Sequence, residues 1–278
     1  NPLGHGLLVD RAGLDDWLVG EVAHAGAVVE RGVTLSKSER IGTGWSVDWA
    51  GQGRRGQAAA PLLIEATGRG AGVIGAGRRR SLDRLVALMA YVPAPPDVRD
   101  QRLIVEATED GWWYAALLPG RRVVAALMTD MRDLAPTRAA RRERWHASLT
   151  TTRHVRTLLA GADIGQARIR GFPAESAMRE TLCGPGWVAI GEAAAAYDPL
   201  SGQGYVTALT KGTALATLVA GSSDLSAATD RYAAAERDAF ARYTRDRSRI
   251  YDEAARRFAS PFWDRHRLSR VMTASAAG

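Results

Sequence analysis

The apolar positions change period several times along the chain. Leu14, Trp17, Leu18, Val22 and Ala23 recur at helical spacing, which predicts an amphipathic helix over residues 11–25. Gly26 ends it, and Ala27-Val28-Val29 then reads as a short strand. Trp45 to Trp49 alternates weakly, as a strand of a small sheet does. Pro61-Leu62-Leu63-Ile64-Glu65-Ala66 is a compact apolar run halted by Thr67-Gly68-Arg69-Gly70, the pattern of a buried parallel strand.

Four strands are predicted next, at Leu85–Val92, Leu103–Ala107, Trp112–Leu117 and Val123–Met128. Pro93-Ala94-Pro95-Pro96 and Pro119-Gly120 punctuate them as turns. Strands so closely spaced suggest an antiparallel sheet inserted between the halves of an α/β domain. Residues 137–161 return to helical spacing, with Trp145, Leu149, Val155 and Leu158 along it. Trp187-Val188-Ala189-Ile190 reads as another buried strand, leading through a Gly-rich turn into a helix from about Gly204 to Val219. Residues 225–258 form one or two long helices dense in Arg, Asp and Ala, followed by Pro261-Phe262-Trp263.

Composition narrows the class. The 278 residues are 46% hydrophobic and 24% charged, enough for one large core or two modest ones and contrary to disorder. The lone Cys183 rules out an internal disulfide framework and fits a reducing cytoplasm. No apolar run approaches the roughly 18 residues of a membrane span, and the Asn1–Gly6 start lacks a signal-peptide pattern. The formal net charge is +7, nearly all of it from arginine, with Lys37 and Lys211 the two lysines. Short clusters at Arg78–Arg80, Arg141-Arg142 and Arg256-Arg257 are scattered rather than gathered into an aromatic-laced patch. They read first as solvated helix faces and second as attraction for an anionic cofactor or substrate. Nucleic acid is a minor option, and neither it nor a membrane is expected as a partner. His5, His24, His146, His154 and His266 show no metal or triad spacing, so no metal is expected.

The chemistry concentrates between Gly186 and Gly204, in Gly-Trp-Val-Ala-Ile-Gly-Glu-Ala-Ala-Ala-Ala-Tyr-Asp-Pro-Leu-Ser-Gly-Gln-Gly. A strand runs into small residues and then into a Pro-Leu-Ser-Gly-Gln-Gly turn that opens a helix. Small side chains let a flat ligand lie on the backbone, and the helix N-terminus carries about half a positive charge. This stretch resembles the second flavin-binding motif of FAD-dependent monooxygenases of the aromatic-hydroxylase type and of the tryptophan-halogenase-like flavoproteins. The resemblance implies that Gly191, Glu192 and Ala193 approach the ribityl chain, with Glu192 standing where the family has Asp. It places Pro199, Gly202, Gln203 and Gly204 along the isoalloxazine. Two further stretches agree in order. Val9-Asp10-Arg11 ahead of Leu14-Asp15 resembles the family's Arg before a Leu-Asp helix, implying that Arg11 sits near the ribityl or pyrophosphate. Ala66-Thr67-Gly68-Arg69 resembles the strand end that closes over the dinucleotide, implying cofactor contacts from Thr67, Gly68 and Arg69.

Gly70-Ala71-Gly72-Val73-Ile74-Gly75 also fits G-x-G-x-x-G, but a polar arginine loop follows it instead of a helix, so a crossover loop is the better reading. The family's own fingerprint belongs ahead of Arg11, and this sequence holds no counterpart to it. The resemblance therefore implies an α/β fold: an FAD-binding, Rossmann-like three-layer domain lacking its first βαβ unit, with an inserted, mainly antiparallel substrate sheet and C-terminal helices. The expected divisions are 1–75 (partial FAD domain), 76–180 (substrate sheet and helices), 181–222 (second flavin motif) and 223–278 (helical segment). Pyrophosphate and adenosine contacts would be missing from such a chain.

Trp112, Trp113 and Tyr114 are the candidate substrate wall, with alternation placing Trp112 and Tyr114 on one face and Trp113 on the other. Packing of the sheet against helices is the equal alternative. The activity implied is a cytoplasmic FAD-dependent oxidoreductase, foremost a monooxygenase working on an aromatic or indolic group through a flavin C4a-hydroperoxide. The group would be free or carried on a partner protein, with electrons from NAD(P)H or a separate flavin reductase. A flavin-dependent halogenase and a non-catalytic or truncated relative acting as a binding module are the alternatives. No side chain is singled out as acid or base.

Overall fold

The computed structural model describes residues 8–70, 78–134, 136–202 and 204–267. The Asn1–Gly6 start, the G-x-G-x-x-G stretch beyond Gly70 and Gln203 lie outside them. Two units share the chain: Asn1–Glu30, Leu85–Pro173 and Ala254–His266 make up one, and Arg31–Arg84, Ala174–Glu253 and Arg267–Gly278 the other.

Helix α1 (Arg11–His24) ends where its glycine predicts. Gly26 has φ of 92°, the Gly26 N–H donates to the Ala23 carbonyl, and the Ala27 N–H donates to that of Val22. These two bonds satisfy carbonyls that a helix end otherwise leaves open. None of the helix's residues is buried, and Trp17 and Val22 lie exposed. Ala27–Val29 is not a strand as expected. Val28 is almost fully exposed and no strand runs beside it among the described residues, so three apolar residues have no ladder to join.

The second unit opens with an antiparallel meander of β1 (Thr34–Ile41), β2 (Gly44–Gly51) and β3 (Arg54–Ala60). The predicted Trp45–Trp49 strand is its centre. Its flanking strands escaped the sequence reading because both are exposed and largely polar, without apolar alternation. The Trp45 indole N–H anchors the meander by donating to the Pro185 carbonyl at 3.0 Å. Next come β4 (Leu63–Glu65) and β5 (Arg79–Ser81).

The first unit is built on a five-stranded sheet. Strands β6 (Leu85–Pro93), β7 (Ile104–Thr108), β8 (Gly111–Leu118) and β9 (Arg122–Asp130) occupy the four predicted stretches, and β10 (Arg170–Pro173) joins β6 at one edge. Every pairing is antiparallel. Alternation sends Leu88, Trp113, Ala115, Ala125 and Leu127 to one face, where they form a core with Trp145 and Leu149 of α2 (Arg138–Thr150) and Val155 and Leu158 of α3 (His154–Leu158). Trp113 and Trp145 meet edge to face at 5.1 Å, a geometry worth about 0.5–1.5 kcal/mol beyond buried area. Their indole N–H groups donate to Ser148 Oγ and the Leu88 carbonyl, so neither ring leaves a polar atom stranded.

The helix expected across 137–161 is two helices with a break between them. Thr150, Thr151 and Thr152 each turn a hydroxyl back onto the carbonyl three residues earlier, an alternative to continuing the ladder. The new N-terminus is then capped by Glu106 of β7, whose carboxylate accepts the N–H groups of Arg153, His154 and Val155.

The remaining elements complete the second unit. β11 (Ala177–Arg179) pairs with β5 and with β14 (Ala195–Ala196), and β12 (Cys183–Gly184) pairs with β13 (Trp187–Ala189). β13 runs parallel to β4, with Val188 opposite Ile64 and Ala189 opposite Glu65, so the predicted strand is parallel, although Ile64 lies exposed and only Glu65 of β4 is buried. Helices α4 (Gly204–Ala220) and α5 (Leu225–Arg257) follow, the latter one continuous 33-residue helix. α6 (Pro261–His266) belongs to the sheet unit, where its Trp263 indole donates to the Thr108 carbonyl at 2.8 Å. No helix among the described residues is long and apolar enough to cross a membrane.

Candidate functional site

The bend between β14 and α4 is shaped by its own residues. Asp198 accepts the Leu200 N–H on Oδ1 at 2.9 Å, Pro199 opens a short 3-10 turn ending at Ser201, and the Gly202 N–H donates to the Pro199 carbonyl. Gly202 then reverses the chain with φ of 60°, a value that suits glycine. Gly191, ahead of Glu192 and the buried Ala193, has φ of 56°. A Cβ built on Gly191, Gly202 or Gly204 would meet no described heavy atom within 4 Å. Bare backbone therefore borders open space on both sides of the Tyr197-Asp198 step, and the mouth of a 17-residue helix begins at Gly204.

Beneath the bend lies a stripe of α5. Glu236, Phe240, Tyr243, Arg247 and Tyr251 recur every three or four residues and so share one helix face. The Tyr197 ring packs edge to face on Phe240 and Tyr243, and its hydroxyl donates to Glu236 at 3.0 Å. Lys211 of α4 joins the same pair, its ammonium bonded to Glu236 and 2.6 Å from the Tyr197 hydroxyl. Burial pulls the Lys211 ammonium below its ordinary range despite Glu236, and burial together with Glu236 pushes the Tyr197 hydroxyl well above its own. One step along, Asp198 Oδ2 accepts from Arg247 Nε at 2.9 Å and from the Tyr251 hydroxyl at 2.6 Å.

The Thr67-Gly68-Arg69 strand end reaches the same bend. The Arg69 guanidinium donates to the Glu192 carboxylate at 3.0 Å, the Glu175 carbonyl at 2.7 Å and the Tyr197 carbonyl at 2.9 Å. Glu192 stays half exposed, with its charge balanced by Arg69. Thr67 donates to Glu65, whose carboxylate is held by Arg179 at 2.6 Å with both side chains buried. The strand ends are thereby locked to one another by charge-assisted bonds.

Arg11 and the three aromatics of β8 belong to the sheet unit instead. Trp113 lies in the α2-side core described above. Trp112 and Tyr114 share the opposite face, opposite Met128 and Ala126 of β9. Burial raises the Tyr114 hydroxyl to about 12, with the Arg11 charge pulling the other way, so Arg11 acts on this strand.

Sequence reasoning singled out the glycines of the bend but missed what braces it: Lys211, Glu236, Tyr243, Arg247 and Tyr251. The signal was present as aromatic and charged residues at helical spacing within an otherwise Ala- and Arg-rich helix. Their partners lie far away in sequence, which periodicity cannot supply.

The chain is 26% identical over 273 residues to the FAD-dependent oxidoreductase LodB of Marinomonas mediterranea, covering 96% of this chain and 73% of that protein. It superposes on the flavin-dependent halogenase CmlS with a TM-score of 0.84 at 20% identity, over 98% of this chain and 52% of that one. It superposes on the peptidyl tryptophan dihydroxylase QhpG with a TM-score of 0.75 at 24% identity, over 92% and 58%. The chain thus spans little more than half the length of these two solved structures. The tryptophan halogenase family model matches residues 5–277, and the chain belongs to that family.

Proposed function

We propose that this chain holds the flavin-facing turn and the substrate sheet of an FAD-dependent monooxygenase acting on an aromatic or indolic group. The observation that carries the reading is the Pro199–Gly204 bend, whose described glycines border open space at the mouth of α4. The residues fit a flavin. Glycine backbone admits a flat ring, and the N-terminal end of a long helix favours its electron-rich edge. When bound, FAD would supply the redox and oxygen chemistry, with electrons from NAD(P)H or a separate flavin reductase. Gly191, Pro199, Gly202, Gln203 and Gly204 would seat it, and Arg69 would fix the neighbouring loops in place. Thr67 and Gly68 lie on the same strand end, and Glu192 would offer a carboxylate already neutralised by Arg69. Tyr114 would face the substrate from this sheet, while Trp112 on the same face is buried and Trp113 packs the core.

A substrate carried on a protein, rather than a free aromatic compound, gains support from the likeness to a peptidyl tryptophan dihydroxylase. Halogenation is the second reading, favoured by the superposition on CmlS. Full-length protein with FAD, a flavin reductase and NADH should be offered indole, tryptophan and a tryptophan-containing peptide, with and without bromide. Addition of oxygen atoms, measured by mass spectrometry and unaffected by bromide, is expected. Bromide-dependent halogenation would replace the reading with the second one, and no product from any substrate would contradict both.

A further inference from the structure

The α5 stripe closes a circuit of hydrogen bonds and one ion pair around the base of the bend. The Asp198 N–H donates to the Tyr243 hydroxyl at 2.7 Å, and that hydroxyl lies 2.7 Å from Ser176 Oγ. The Ser176 N–H donates to Asp83 Oδ2 at 3.3 Å, and Arg247 spans the gap from Asp83 (3.1 Å) to Asp198 (2.9 Å). All three charged side chains are at most 2% exposed. Two buried carboxylates thus face one guanidinium, and the Asp198 carboxylate is also the cap that fixes Leu200 and starts the turn. A planar fork suits this task, because one arginine can bond both carboxylates at fixed angles where a lysine offers a single point of charge.

We propose that Arg247 is a positioning residue, holding the Pro199–Gly202 turn in its ligand-receiving shape before any ligand arrives. Among the described contacts Arg247 reaches the bend through Asp198, so its proposed role is in the site's geometry rather than in the chemistry. Without its guanidinium, Asp83 and Asp198 would repel one another in a buried setting, and Asp198 would be free to swing away from the Leu200 N–H. A preformed bend spares the ligand the cost of ordering it, which is how bracing becomes affinity. The affinity part of this inference rests on the flavin reading; the bracing part does not.

Arg247→Met and Arg247→Lys should be compared with wild type in the full-length protein by amide hydrogen exchange without flavin and by FAD titration. In folded Arg247→Met the Leu200 and Gly202 amides should exchange about tenfold faster or more, and FAD should bind about tenfold more weakly, as expected for loss of a charge-assisted hydrogen bond. Arg247→Lys should recover part of both. Should Arg247→Met fail to fold, Tyr251→Phe removes another bond to the same Asp198 oxygen without stranding a charge, and a smaller shift in the same direction is expected. Wild-type exchange and wild-type FAD affinity in whichever variant folds would overturn the proposal. If wild type itself takes no FAD, the flavin reading fails, while the exchange comparison still decides whether Arg247 braces the bend.

Discussion

At the scale of single residues, buried charge is arranged in answered pairs, and Asp130 shows the consequence for pH. Its side chain is fully buried at the end of β9 and accepts from the Arg132 guanidinium and backbone N–H, with Arg265 and His266 Nε2 also in contact. Burial pushes its carboxyl up, but the Arg132 bonds and the positive charges around it prevail and hold it below the ordinary range. A carboxyl with a folded pKa below its unfolded value of about 3.9 stabilises the fold fully above that pH. The contribution is lost as pH falls through the folded value. Asp130→Asn is therefore expected to be less stable than wild type at neutral pH, with the gap closing below about pH 4. Urea unfolding at a series of pH values checks this, and a gap constant down to pH 3 (roughly one unit below the unfolded value) would contradict it. Sequence offered nothing on this pair, since His266 and Asp130 lie 136 residues apart. The glycines of the bend were legible because a turn's chemistry is local.

At the scale of elements, the hydrophobic pattern located four strands of the five-stranded sheet and the parallel pair, but not the edge strand β10, whose residues are all exposed. It failed on β1 and β3, which bury little, and on Ala27–Val29, which is apolar without a partner. The break between α2 and α3 lay hidden in the threonine run at 150–152, where helical spacing continues but hydroxyls compete for the carbonyls. One glycine carries unusual weight. Gly111 opens β8 with φ of 146°, and a Cβ there would overlap the Met128 carbonyl oxygen of β9. Gly111→Ala should destabilise the protein by at least about 2 kcal/mol through strain and a displaced strand. A melting curve indistinguishable from wild type would show that the β8–β9 register tolerates what its geometry forbids.

At the scale of the whole molecule, the order of elements was readable: a parallel pair split by a long stretch that carries an antiparallel sheet, then long helices. The motif resemblance led to the family, and the family match across residues 5–277 agrees with it. The grip on the bend was not readable, because it depends on α5 lying against a turn encoded far earlier in the chain. Arg69 also ties Glu192 and Tyr197 together across 123 and 128 residues of chain, a grip its motif alone could not reveal.

The open backbone at Gly202 is the proposed seat of the flavin. Full-length protein titrated with FAD should develop a bound-flavin absorption band near ~450 nm, a property of the cofactor. Gly202→Val, which places a branched side chain in the open space at a left-handed position, should weaken that binding by about tenfold or more while far-UV circular dichroism stays unchanged. A wild-type protein with no flavin band, or a folded Gly202→Val protein that binds FAD as tightly as wild type, would contradict the claim.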